Sequence, residues 1–169
     1  VLLLKFLSEN LEDDLIKRLY AFFRDPYGRS GGLFRDIPPM GKLSVNLGKL
    51  DIRSGRLSAQ IDCRYPYGES SSELTDILAA AFPDLKTELP YDDPPTLADE
   101  DSPFISALKT AYEHMTGIPC GTFISGGVSY SKVFRNCVNF GSLPENRESL
   151  AHQKNEFAYI EDLKYALGI

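Results

Sequence analysis

Leu43-Ser44-Val45-Asn46-Leu47-Gly48-Lys49-Leu50-Asp51-Ile52-Arg53-Ser54-Gly55-Arg56-Leu57-Ser58-Ala59-Gln60-Ile61-Asp62-Cys63-Arg64-Tyr65 is the stretch that decides the fold. Leu43, Val45 and Leu47 alternate with polar residues, and so do Leu57, Ala59, Ile61, Cys63 and Tyr65. A period of two places alternate side chains on one face of a strand, so each run predicts a strand with one buried side. Ser54-Gly55 supplies a short turn tolerant of positive φ, which makes the pair a β-hairpin. The first strand changes phase at Gly48, because Leu50 and Ile52 continue on the other parity. One extra residue there, a β-bulge, restores the register.

Helical patterns flank this hairpin. Leu11, Leu15, Ile16, Leu19, Tyr20 and Phe23 recur at helical spacing, with Asn10 as the expected cap and Asp25-Pro26 as the stop. A loop rich in glycine and proline is expected from Tyr27 to Gly41. After the hairpin, Leu74, Ile77, Leu78 and Ala81 form one face of a helix from about Ser71 to Phe82. A short strand is expected over Leu85–Leu89. The order helix, strand, strand, helix, strand is a ferredoxin-like layout short of its first strand. The chain also starts without Met inside an apolar helical run, which reads as the start of a piece of something longer.

Residues 90–101 are acidic and proline-rich and read as a linker between a domain over 1–92 and a second over 93–169. Ser102-Pro103 opens a helix in cap-then-proline order, with Phe104, Ile105, Leu108, Ala111, Tyr112 and Met115 inward and Gly117 at its end. Short strands are expected at Thr122–Ile124 and Val138–Phe140, around a Ser125-Gly126-Gly127 turn and a short helical segment. A last helix starts near Ile160. The fold class is therefore α+β, an incomplete ferredoxin-like domain followed by part of an α/β layer.

Composition narrows the function. The chain of 169 residues has 10 Phe, 9 Tyr and a formal net charge of −6. So many aromatics argue against disorder. A surface that binds nucleic acid through phosphates needs clustered cations, whereas Lys17 and Arg18 sit among Glu12, Asp13 and Asp14. No apolar run reaches the roughly 20 residues of a membrane span, so no membrane partner is expected. Three cysteines, Cys63, Cys120 and Cys137, are widely spaced and lack a C-x-x-C pair. That pattern suits a reduced, cytoplasmic protein better than a disulfide scaffold.

Few residues could carry chemistry. There are two histidines. His114 falls in the last turn of its helix, where a cationic ring would meet the negative end of the dipole. His152 falls in a polar loop with no apolar periodicity, and reads either as an exposed histidine or as a metal ligand. Arg64, on the polar face of the second strand, reads either as the ion-pair partner of Asp62 or as a clamp for a carboxylate. Gly126 and Gly127 read either as a plain turn or as a place where backbone N–H groups approach an anion. No nucleotide loop, dinucleotide fingerprint or Ser-His-Asp set is present.

Three ordered blocks bring a resemblance. They are Cys63-Arg64-Tyr65-Pro66; Ser125-Gly126-Gly127-Val128-Ser129-Tyr130-Ser131; and Val138-Asn139-Phe140-Gly141 through Pro144-Glu145-Asn146 to Ala151-His152-Gln153-Lys154-Asn155-Glu156-Phe157. In order and interval they resemble the C-terminal half of PepV-type, or Xaa-His, dipeptidases, relatives of carnosinases, aminoacylases and desuccinylases. The likeness covers essentially the whole chain. It implies a two-domain hydrolase, with a catalytic domain holding two zinc ions and a ferredoxin-like lid inserted into it. His152 would match the last metal ligand, and Arg64 the lid arginine that holds the substrate's terminal carboxylate. Gly126 and Gly127 would match the turn that cradles the substrate. Asn155 and Glu156 would match a pair that supports the ligand or caps a helix.

The pattern also departs. Val128 and Ser129 stand where a third glycine and a threonine are usual. The early histidine, the bridging aspartate, the carboxylate ligands and the glutamate base would all precede Val1, and the lid histidine is missing. The resemblance therefore implies hydrolysis of small dipeptides of the Xaa-His or β-Ala-Xaa type by a longer enzyme. This chain would hold no catalytic residue of its own and would be inactive alone. The rivals are a deacylase or desuccinylase of the same superfamily, and a non-catalytic module that forms a homodimer through an exposed sheet edge.

Overall fold

The computed structural model describes the chain except residues 128, 135–136, 141–146 and 169. Val128 and the Gly141 to Asn146 part of the third block lie outside the described residues. The chain divides into two compact units, Val1–Thr96 and Leu97–Ile169.

The hairpin organises the first unit. Strands β3 (Ser44–Arg53) and β4 (Arg56–Arg64) pair antiparallel, with Val45 opposite Cys63, Leu47 opposite Ile61, Leu50 opposite Ala59 and Ile52 opposite Leu57. The register shifts between Leu47 and Lys49, which makes Gly48 the bulge residue. Both parities of the first strand thereby reach one face. Ser54 and Gly55 turn the chain with φ of 51° and 76°, the paired positive angles that match the twist of a two-residue hairpin loop.

Three helices cover the apolar side: α1 (Leu2–Asn10), α2 (Asp14–Phe23) and α3 (Ser71–Ala81). Their inner faces and the hairpin meet in one cluster, including Leu4, Ile16, Leu19, Phe22, Phe23, Val45, Leu74 and Phe82. The opening helix differs from expectation. Asn10 is the last residue of α1, its side-chain amide donating to the Phe6 carbonyl at 2.8 Å. Asp13 caps α2 instead, accepting the Ile16 N–H at 3.0 Å. Both residue types can cap, but an aspartate also favours the positive end of the helix dipole.

The loop after α2 is more structured than its composition predicts. It holds a 3-10 turn at Arg29–Gly31 and a two-residue antiparallel pair, β1 (Asp36–Ile37) with β2 (Gly41–Lys42). Asp25 accepts the Arg29 N–H at 2.7 Å, and the Pro26 carbonyl accepts Val45 N–H at 2.8 Å, which docks the loop along the outer edge of β3. Gly28 is required here. Its φ is +71°, and a Cβ would meet the Leu33 Cβ at 2.7 Å. Leu33 itself is wholly buried.

The strand expected at Leu85–Leu89 is not formed. Leu85 packs against the core, but a strand needs a neighbour for its backbone donors and acceptors, and the sheet beside it has only β3 and β4 among the described residues. The strands expected at Thr122–Ile124 and Val138–Phe140 are likewise not formed. Alternation and β-branching favour extension; pairing needs a partner.

The second unit carries α4 (Pro103–Thr116) and α5 (Ile160–Gly168), with a 3-10 turn at Tyr130–Val133. Ser102 caps α4 through the Ile105 N–H at 3.3 Å, and Gly117 ends it in the left-handed region at φ 70°. Tyr112 meets Phe140 edge-on, ring centroids 6.2 Å apart. The chain thus mixes helix and strand, as an α+β class requires. No helix among the described residues is long and apolar enough to cross a membrane.

Candidate functional site

His152 occupies a double turn. Gln153 N–H donates to the Leu150 carbonyl at 3.0 Å, and Glu156 N–H to the Gln153 carbonyl at 3.2 Å. The third residue of each turn is left-handed: His152 at φ 62° and Asn155 at φ 61°. Asparagine and histidine tolerate that region better than most residues, which explains their use without glycine. Glu156 closes the loop from behind, its Oε2 accepting the His152 backbone N–H at 3.1 Å. Asn155 and Glu156 thus hold the backbone that carries the imidazole. All three side chains are exposed.

A larger brace surrounds this loop. Arg147 grips Asp162 in a fork, Nε at 3.1 Å and 3.3 Å from the two carboxylate oxygens and Nη2 at 3.2 Å. Asp162 lies in the first turn of α5 and is 8% exposed. A carboxylate so far from water needs this compensation, and the helix start supplies more. The guanidinium also lies 4.2 Å over the Tyr159 ring, and Tyr159 meets Phe157 edge-on at 5.1 Å. Beside the brace is an open hollow of about 620 Å³, lined by Leu150, Glu156, Phe157, Tyr159 and Leu163 among others. Neither Arg147 nor Asp162 stands out in the sequence, because a pair fifteen residues apart obeys no helical or strand period.

The Gly-rich turn is open and exposed. A Cβ on Gly126 would meet nothing within 4 Å, and one on Gly127 would make only ordinary contact with Ser125 Oγ at 3.5 Å. The Gly127 N–H donates to that same oxygen at 3.2 Å. An incoming anion would therefore compete with Ser125 for this donor. Ser129, two residues on, stands where a threonine is usual and is a junction. Its Oγ accepts the Ser131 N–H at 3.2 Å and donates to Asn139 Oδ1 at 2.8 Å, joining the second sequence block to the third.

Arg64 lies in the first unit, at the end of β4 and opposite Ser44. Its Nε is 3.6 Å from Asp62 Oδ2, with both side chains more than half exposed. The ion pair read from the sequence does form, but a pair this exposed contributes little stability and can exchange partners. Next to it, Cys63 turns inward; burial first, and the Asp62 charge second, push its thiol up to about 11. That makes it a core residue rather than a nucleophile.

His152, Asn155, Glu156, Gly126 and Gly127 all belong to the second unit and Arg64 to the first. Among the described residues, no three of His, Cys, Asp or Glu are grouped so as to hold a metal ion. An imidazole is a ligand zinc accepts, but one alone does not make a zinc centre.

No family model matches the chain. Individual proteins do. A β-Ala-Xaa dipeptidase of Lactobacillus delbrueckii subsp. lactis is 29% identical over 148 residues, 86% of this chain and 31% of its own length. A relative from Staphylococcus aureus strain MRSA252, whose description as a dipeptidase is provisional, is 30% identical over 176 aligned residues, 99% of this chain and 37% of its own. The corresponding protein of strain USA300 is 29% identical over the same share. The chain therefore spans about a third of the length of the curated relatives it matches, which align with 86–99% of it.

Proposed function

We propose, taking homology to dipeptidases as the premise, that this chain is part of a longer hydrolase that cleaves the amide bond of small dipeptides of the β-Ala-Xaa or Xaa-His type. The observation that carries the reading is the match along nearly the whole chain to proteins named for that activity. In this reading residues 1–92 are most of a lid and 93–169 the end of a catalytic domain. His152 would give its imidazole to one of two zinc ions, the rest of whose ligands lie outside this chain. Zinc supplies a bound water of lowered pKa and a polarised scissile carbonyl. Among the described residues no three of His, Cys, Asp or Glu are grouped to hold a metal ion, so the chain alone is expected to be inactive.

The chain's own residues would bind and orient. Arg64 would exchange Asp62 for the substrate's terminal carboxylate, which its planar fork suits. Gly126 and Gly127 would approach the substrate with backbone alone, the substrate displacing Ser125 Oγ from the Gly127 N–H. Glu156 would keep the His152 backbone in place. The test is hydrolysis of a dipeptide panel by the full-length enzyme, with and without a zinc chelator. Arg64→Gln should raise KM at least about tenfold for free-carboxylate dipeptides, the loss of one charge-assisted bond of about 1.5–3 kcal/mol, and leave C-terminal amides unaffected. An equal loss on amides would remove Arg64 from carboxylate recognition. Faster turnover of acylated or succinylated amino acids would favour a deacylase.

A second reading concerns partners. The Pro26 carbonyl already covers part of the β3 edge at Val45, whereas no such backbone bond reaches β4 among the described residues. Pairing of β4 with its copy would build a continuous sheet across a homodimer. Sedimentation of the chain should then show a dimer at micromolar concentration; a monomer at tens of micromolar would discard it.

A further inference from the structure

The tyrosine of the Arg64-Tyr65-Pro66 block has no part in the reading above, and the structure gives it one. Tyr65 Oη donates to Asp92 Oδ1 at 2.6 Å, and Ser71 Oγ donates to Asp92 Oδ2 at 2.6 Å. Both carboxylate oxygens are thus engaged by short, charge-assisted bonds. The two donors come from the two firmest parts of the unit: Tyr65 follows β4 and packs against the core, and Ser71 is the first residue of α3. An anion at that position also favours the positive end of the α3 dipole. Burial, and then the bond to Asp92, push the Tyr65 hydroxyl up to about 12, so it stays a donor across the physiological range.

Asp92 sits in the acidic, proline-rich run at the end of the first unit, where composition suggests a loose tether. Nothing in residues 86–91 holds that run by backbone bonding among the described residues; its last recorded backbone bond is Leu85 N–H to the Phe82 carbonyl at 3.0 Å. Asp92 therefore fixes the far end of this stretch, twenty-seven residues after Tyr65 in sequence but within one hydrogen bond of it. Beyond it, Pro94-Pro95 stiffen the chain toward an extended form. The Asp99 turn into α4 begins soon after, with Ser102 N–H on the Asp99 carbonyl at 3.1 Å.

We propose that Asp92 is a latch: by bridging Tyr65 and Ser71 it anchors the acidic run to the hairpin and α3 of the first unit. The latch stands on this geometry and does not depend on the dipeptidase reading. It also places the linker's anchor one residue from Arg64, so that loosening it would be felt at the strand end where that side chain is mounted.

The experiment is ¹⁵N relaxation on the whole chain, comparing wild type with Asp92→Ala and with the double variant Tyr65→Phe, Ser71→Ala, which removes both donors but keeps the ring packed. In wild type the order parameters of Tyr91 and Asp93 should stand near the roughly 0.85 of rigid backbone. In both variants they should fall below about 0.6, the flexible range, while Ile61 and Leu74 keep their values. Wild-type values already in the flexible range would overturn the latch, as would variants that leave Tyr91 and Asp93 rigid. A fall that spreads to Ile61 and Leu74 would also overturn it, since Asp92 would then be a general stabiliser of the unit.

Discussion

Phe23→Ala should destabilise the first unit by about 3–5 kcal/mol, the range for truncating a fully buried aromatic. Phe23 is 2% exposed and stacks parallel to Phe82, with centroids 6.2 Å apart, so it ties the end of α2 to the end of α3. Phe22 leans on both, at 4.8 Å from Phe23 and 5.3 Å from Phe82. Gly31 packs so close that a Cβ there would lie 2.5 Å from the Phe22 ring. Phe23 thus packs between Phe22, itself wedged against Gly31, and Phe82, which limits how far the site can collapse and puts the cost toward the upper end. Urea unfolding measures it, and Phe6→Ala is the control. Phe6 is 60% exposed, and its loss should stay within about 0.5 kcal/mol. A cost below about 1 kcal/mol for Phe23→Ala would mean that this aromatic cluster is not the core of the unit.

How much of this was legible in the sequence depends on whether a feature obeys a period. The hairpin did: the alternation around Val45 and Ile61 named the inner face, and the parity change at Gly48 located the bulge. The start of α4 was legible because Ser102-Pro103 is a local signal. Asp13 was confused with Asn10 because two capping residues stand three positions apart, and only the path of α1 decides between them. The unformed strands at 85–89, 122–124 and 138–140 show the opposite limit, since extended propensity is local but pairing is not. For the candidate site, the loop position of His152 was legible, and its proposed chemistry came from resemblance alone. The contacts that hold the site were not legible at all. Arg147 with Asp162, Ser129 with Asn139 and Tyr65 with Asp92 are polar pairs ten to twenty-seven residues apart, and no spacing rule selects one polar residue over its neighbours.

Replacing His152 by alanine in the full-length enzyme should lower dipeptide hydrolysis at least about a hundredfold, beyond the 10–100-fold that residues merely supporting a metal ligand cost. The fold should not change, because the side chain is exposed and takes no part in the core. Alanine alone would leave the result ambiguous, however. His152 has φ 62°, a region that costs most residues about 1–2 kcal/mol, so His152→Ala strains the turn as well as removing the imidazole. His152→Gly separates the two effects, since glycine enters that region freely but offers no ligand. Equal losses in both variants, with bound zinc falling by about one ion per chain on metal analysis, would assign the loss to the imidazole. Recovery in the glycine variant would make the turn geometry responsible, and undiminished activity with full zinc content in either would end the ligand assignment. Glu156→Gln adds a graded control: the amide oxygen still accepts the His152 N–H, so it should cost far less than loss of the ring.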